Sequence, residues 1–167
     1  MKYTSAEAAK LLRSLKEELA ALNAMQDRSA EFIAAVGEDI ESVRPQYDFL
    51  ETQEKIDELQ KKIRTVKHAL NVFNSTTVIP DFDMTIDEML VYIPQLTSRK
   101  ANLSYMTAKL PKSREQGNVR AGVIDYRYLN YNLDDAKNEY KRIDDLLSKA
   151  QTALDLINST ATLNIDL

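Results

Sequence analysis

Residues 56–76 read IDELQKKIRTVKHALNVFNST and residues 140–160 read YKRIDDLLSKAQTALDLINST, two stretches offset by 84 positions. In the first, Ile56, Leu59, Ile63, Val66, Leu70 and Phe73 recur at steps of 3, 4, 3, 4 and 3. In the second, Tyr140, Ile143, Leu147, Ala150, Leu154 and Ile157 repeat those steps. An α-helix turns once every ~3.6 residues, so the alternation lays six side chains along one stripe that packs against other helices at a shallow angle. The shared Asn-Ser-Thr at 74–76 and 158–160 predicts that both helices end there and leave as extended chain. Tyr47 and Tyr131 fall at the same offset, so residues 1–167 read as a single helical domain with a pseudo-repeat, 1–84 and 85–167.

The same seam extends outward from these stretches. Ala8, Leu12, Leu15, Leu19, Leu22, Gln26, Ser29, Ile33 and Val36 keep the 4, 3 alternation, and Thr4 with Glu7 has the spacing of a capping box. These signals predict a first helix over 5–36, stopped by Gly37 and Pro45, and a second over 47–74. Thr85 and Glu88 open a third helix carrying Ile86, Met89, Ile93, Leu96, Leu103 and Leu110 before Pro111, with a kink expected at Pro94. Asn132 is placed to cap a fourth over 133–158. Four helices, each about 40 Å long, have to bury their stripes against one another. The expected fold is therefore mainly α: long helical hairpins with heptad seams, closed as an antiparallel four-helix bundle.

Up-down-up-down topology gathers the 37–46 and 111–132 loops at one end, and the N-terminus with the segments after helices two and four at the other. Residues 123–131 (VIDYRYLNY) and 161–167 (ATLNIDL) read as short β-strands. Lying at opposite ends, they do not pair within one chain unless the long connection folds back along the bundle. The C-terminal strand, with Leu163, Ile165 and Leu167 on one face, then needs another partner, either Thr76–Ile79 or a second subunit. It is the candidate self-association strand.

A helix ending in Asn-Ser-Thr, a short break, and Thr85-Ile86-Asp87-Glu88 opening the next helix resembles the septicolysin-like bacterial helical proteins. The similarity spans about residues 50–100 and, faintly, the last twenty. It implies a bacterial helical protein with a short β element. That family has no assigned function, and although its name points to lysis of membranes, it offers no catalytic or binding residue to transfer.

Composition removes most chemistry. With 44% apolar and 29% charged residues, 167 residues support one packed core. Three glycines leave little room for a glycine-rich phosphate loop. The absence of cysteine excludes disulfides, thiolate metal sites and a cysteine nucleophile. The lone His68 sits at the flank of the seam, beside Val66 and Leu70, where packing or solvation is its ordinary fate. Asp81, Asp83, Asp87 and Glu88 form the densest carboxylate group, yet a calcium loop's turn glycine and late bidentate acid are missing, and Asp87 and Glu88 suit a helix N-terminus. No catalytic residue, metal or cofactor is nominated, and an enzyme is not expected. No run approaches the ~20 apolar residues of a membrane span, so membrane insertion is not expected and the cytoplasm is the default location.

Net charge is -4, which gives no global footprint for nucleic acid. The charge is nevertheless uneven: residues 99–127 hold seven basic side chains against Glu115 and Asp125. Lys109, Lys112, Arg114, Arg120, Tyr126, Arg127 and Tyr128 form a candidate partner or nucleic-acid patch, since cations neutralise phosphates and aromatic faces stack on unpaired bases. Against this, the expected topology brings Glu38, Asp39 and Glu41 to the same end, where the two loops would neutralise each other. Lys100 falls on the seam of helix three, its stem expected to pack while its ammonium reaches water. The leading expectation is a non-enzymatic helical interaction or scaffold protein that assembles as a homo-oligomer. The alternative is a bundle that binds RNA or single-stranded DNA through 99–131.

Overall fold

The computed structural model describes residues 1–115 and 124–167. In chain order the elements are β1 (Lys2–Thr4), α1 (Ser5–Ser29), α2 (Ile40–Val43), α3 (Phe49–Thr76), β2 (Val78–Ile79), β3 (Met84–Thr85), α4 (Ile86–Thr107), β4 (Lys112–Arg114), β5 (Tyr126–Tyr128), α5 (Leu133–Thr160) and β6 (Thr162–Asn164). The protein is mainly helical, and its described strands form antiparallel two-stranded ribbons. Where the periodicity expects one four-helix bundle, the chain divides into two compact units, Met1–Thr76 with Ile157–Leu167, and Thr77–Leu156.

Both capping boxes form. Thr4 Oγ1 accepts from the Glu7 amide at 3.2 Å and the Glu7 carboxylate accepts from the Thr4 amide at 2.8 Å, opening α1. Thr85 and Glu88 repeat the arrangement at 3.2 and 2.7 Å, opening α4. In each box the threonine amide, followed by its hydroxyl, holds the glutamate carboxyl below its ordinary range. Each threonine also ends a strand, so one residue turns extended chain into helix at two places.

In the first unit α1 packs antiparallel on α3. Ile56, Leu59, Val66 and Phe73 are buried, with Ile63 and Leu70 half-buried, as the stripe demands. Ala8 and Leu15 are buried on α1, and the seam residue Gln26 accepts from Gln53 Nε2 at 2.6 Å. That pairing explains where α1 stops. Gln53 lies one turn inside α3, so a helix continued past Ser29 would face no partner. The expected extension to residue 36 does not form, and Ile33 and Val36, read as seam positions, stand 94% and 109% exposed. Gly37 takes a left-handed φ of +86°, and the short α2 follows, capped by Asp39 accepting from the Glu41 amide.

The C-terminal strand does not lack a partner within its own chain. β6 pairs with β1, Lys2 opposite Asn164 and Thr4 opposite Thr162, and the ribbon continues where Met1 and Ile165 exchange hydrogen bonds of 2.9 and 3.0 Å. Leu163 and Ile165 are buried there, while Leu167 is exposed. Period-two alternation names the buried face of a strand, not its neighbour. The three residues of β1 are too few to signal a strand beside the helix start that Thr4 announces. An unpaired terminal edge therefore gives no reason for self-association.

In the second unit β2 and β3 form a tight ribbon whose turn holds Asp81 and Asp83 at φ of 69° and 51°, the left-handed region that aspartate tolerates better than most residues. Ile79, Ile86 and Met89 are buried beside it. α4 continues through Pro94, which lies exposed within the helix. Asn132 caps α5, its side-chain oxygen accepting from the Asp134 amide at 2.8 Å. On α5, Ala136, Ile143, Leu147 and Ala150 are buried. Arg99–Glu139 at 2.7 Å and Lys100–Asp144 at 2.5 Å tie α4 to α5. The Lys100 ammonium, still partly exposed, meets the Asp144 carboxylate, and that hydrogen bond raises its pKa against the opposing effect of desolvation.

Candidate interaction site

The basic segment that joins α4 to α5 is a β-ribbon. β4 and β5 pair antiparallel, Lys112 opposite Tyr128, Ser113 opposite Arg127 and Arg114 opposite Tyr126. Side chains alternate between faces along a strand, so this register gathers Lys112, Arg114, Tyr126 and Tyr128 on one face and leaves Ser113 and Arg127 on the other. The sequence patch is assembled by register.

Lys112 Nζ lies 4.2 Å from the Tyr126 ring centroid and 5.3 Å from that of Tyr128, with the two rings tilted at 51° and 6.5 Å apart. A cation over an aromatic face is attracted by the ring's quadrupole and keeps its charge. On the opposite face Arg127 meets the Glu115 carboxylate at 2.6 Å. A backbone bond from Glu115 to Asp125 continues the ribbon at its far end; its base is fastened by one from Leu129 to Pro111 and by the Tyr131 hydroxyl, which donates to the Met106 carbonyl at 2.8 Å. Lys109, on the approach to β4, sits 4.5 Å over Tyr105. Of the nominated residues, Lys109, Lys112, Arg114, Tyr126, Arg127 and Tyr128 come together here. Arg120 lies outside the described residues.

Two apolar neighbours, Leu110 and Ile124, were missed by sequence reasoning, which places Tyr105 beside the basic stretch. Tyr105, Leu110 and Ile124 are all exposed, at 69%, 68% and 58%. Leu110 was read as the last seam residue of a helix that in fact ends at Thr107. The signal that could have found it is Pro111, which pushes the residue before it out of helical geometry.

The connection between α1 and α3 is the counterpart in the first unit, and it was not nominated at all. Ile33, Val36 and Ile40 are exposed along it, and Phe49 and Leu50 are exposed where α3 begins. Its carboxylates take partners from their own loop: Glu38 accepts from the Ala35 amide at 2.8 Å and Glu41 pairs with Arg44 at 2.8 Å. The Arg44 hydrogen bond holds the Glu41 carboxyl below its ordinary range, and the same guanidinium lies 5.1 Å over the Phe32 ring. The acidic 38–41 stretch has its own internal structure.

The other nominated chemistry disperses. Glu88 is engaged in its capping box and His68 is exposed. Among the described residues, no group of three or more His, Cys, Asp or Glu side chains is placed to hold a metal ion, and no helix is long and apolar enough to cross a membrane.

No family model and no curated protein matches the chain. Among solved structures, a functionally unknown conserved protein from Corynebacterium diphtheriae is similar to it, with a TM-score of 0.61 and 16% sequence identity, covering 98% of this chain and 100% of that one. At that identity the likeness concerns the fold alone, and the fold this chain shares is that of a structurally characterised bacterial protein with no known activity.

Proposed function

We propose that this chain is a non-enzymatic helical interaction protein, a cytoplasmic scaffold that assembles with copies of itself. The observation that carries the reading is the pair of inter-helix connections, each presenting exposed apolar side chains: Ile33 and Val36 in one, Leu110 and Ile124 in the other. Helix seams bury apolar residues with regularity in this protein, so large side chains left in water at the connections are set apart from the core. The reading assigns these side chains to surfaces that meet other molecules. The resemblance of residues 50–100 to septicolysin-like proteins fits a helical protein of this build and supplies no residue role. Sedimentation equilibrium from about 1 to 100 µM is the test, because self-association is governed by mass action. The reading predicts a weight-average mass that rises with concentration, and a monomer throughout would contradict it.

A second reading rests on a different observation, Lys112 held between the exposed rings of Tyr126 and Tyr128. Cations that neutralise phosphate beside rings that stack on bases suit RNA or single-stranded DNA. It predicts that a labelled single-stranded oligonucleotide binds with an affinity that falls as salt rises, and that Arg114→Ala, Arg120→Ala and Arg127→Ala together weaken it. Binding indifferent to those substitutions would remove this reading.

A further inference from the structure

We infer that the self-contact is heterologous: the acidic, apolar connection between α1 and α3 of one copy docks on the basic, tyrosine-bearing β4–β5 ribbon of a second copy. The inference rests on the self-association reading and gives it a geometry. Residues 31–51 carry six carboxylates and one arginine. Within the loop that arginine, Arg44, is already paired with Glu41. The ribbon carries the opposite sign: Arg127 answers Glu115, while Lys112 and Arg114 lie on the face they share with the tyrosines.

Charge decides between the possible contacts. A contact centred on either patch alone would lay it against its own copy, acidic on acidic or basic on basic, and like charges brought together across an interface oppose association. Joining the two different patches removes that cost, brings opposite charges together and covers apolar surface on both sides, Ile33 and Val36 against Tyr126 and Tyr128. A contact between unlike patches has a further consequence. Until both contacts close reciprocally, each copy added leaves one patch of each kind open, so growth ends when a ring closes, at two copies or more, or goes on as a filament.

Two variants separate the patches. Ile33→Ser with Val36→Ser disables the acidic connection, and Lys112→Glu with Arg114→Glu disables the ribbon. All four side chains are solvent-facing, so each variant is expected to keep the wild-type circular dichroism spectrum and melting temperature. In sedimentation velocity at about 100 µM, the wild type is expected to form a dimer or larger species. Each variant alone is expected to remain monomeric. An equimolar mixture is expected to stop at a heterodimer, because one intact patch of each kind remains. Raising NaCl from 50 to 500 mM is expected to weaken wild-type association about tenfold by shortening the Debye length. Should either variant fold poorly, the native chain's lack of cysteine offers a second route: Val36→Cys and Arg114→Cys copies mixed under mild oxidation should cross-link to each other in preference to themselves. A wild type that assembles while the mixture yields no heterodimer, or while homo-cross-links prevail, overturns the heterologous contact and leaves self-association standing. A wild type that stays monomeric at 100 µM overturns both.

Discussion

The two halves agree where the chain is buried and part company where it is not. Each begins with a strand ending in a capping threonine, runs through a helix, crosses a connection and returns through a 28-residue helix whose seam steps 3, 4, 3, 4, 3. The connections share nothing of this kind. The first is an acidic loop holding one turn of helix, and the second carries a basic β-ribbon. The repeated parts bury the core and therefore answer to the same packing rules; the connections answer to whatever they meet. On the proposed function the lesson is a division of labour: stability is assigned to the seams and caps, recognition to the connections.

Seam truncations should give the largest effect. Leu59→Ala and Ile143→Ala alter corresponding positions of the two halves, both buried, and each should destabilise by about 2 to 5 kcal/mol in urea titrations, combining lost transfer free energy with a residual cavity. Strongly unequal losses would show that the halves do not carry the core alike. Next come the caps. Thr4→Ala and Thr85→Ala should each cost about 1 kcal/mol, measured by thermal or urea unfolding, because each strands the amides that open a helix. A loss at one site alone would break the equivalence of the two boxes. Gln53→Ala should cost about 1 kcal/mol by removing the partner of Gln26, a contact assigned to the first unit alone.

The smallest expected effect is a pH dependence. Glu7 and Glu88 have folded-state pKa values lowered by their capping threonines, so their contribution is fully present above the unfolded glutamate value of about 4.3. That contribution is lost as the pH falls through the lower folded values. A modest decline of melting temperature below about pH 4 should therefore shrink in the double variant Glu7→Gln, Glu88→Gln. An undiminished decline would assign the acid sensitivity to other carboxylates.

Most of the helical plan was legible because it rests on local rules. Thr4 with Glu7, Thr85 with Glu88 and Asn132 located three helix starts, and the seams named Ile56, Val66, Ile143 and Ala150 as interior. What escaped depended on distant partners. Ile33 and Val36 continue the period of α1, but periodicity does not reveal that Gln26 meets Gln53, one turn inside α3, which leaves them nothing to pack against. The pairing of β6 with β1 joins residues more than 150 positions apart, beyond the reach of any alternation pattern. The site divided in the same way. Charge counting found Lys112, Arg114, Tyr126 and Tyr128, whereas only strand register shows that they share a face. The acidic connection was hidden because its apolar residues had been assigned to a helix.

A connection-replacement experiment tests the division of labour most directly. Residues 31–47 and 110–130 would be exchanged for glycine–serine linkers, with Tyr131 retained for its bond to Met106. The product would be measured by circular dichroism melting and sedimentation equilibrium. The account predicts a cooperative melt, helicity preserved over the four long helices, and a monomer at concentrations where the parent chain assembles. Loss of cooperative unfolding, or assembly undiminished without either connection, would contradict it.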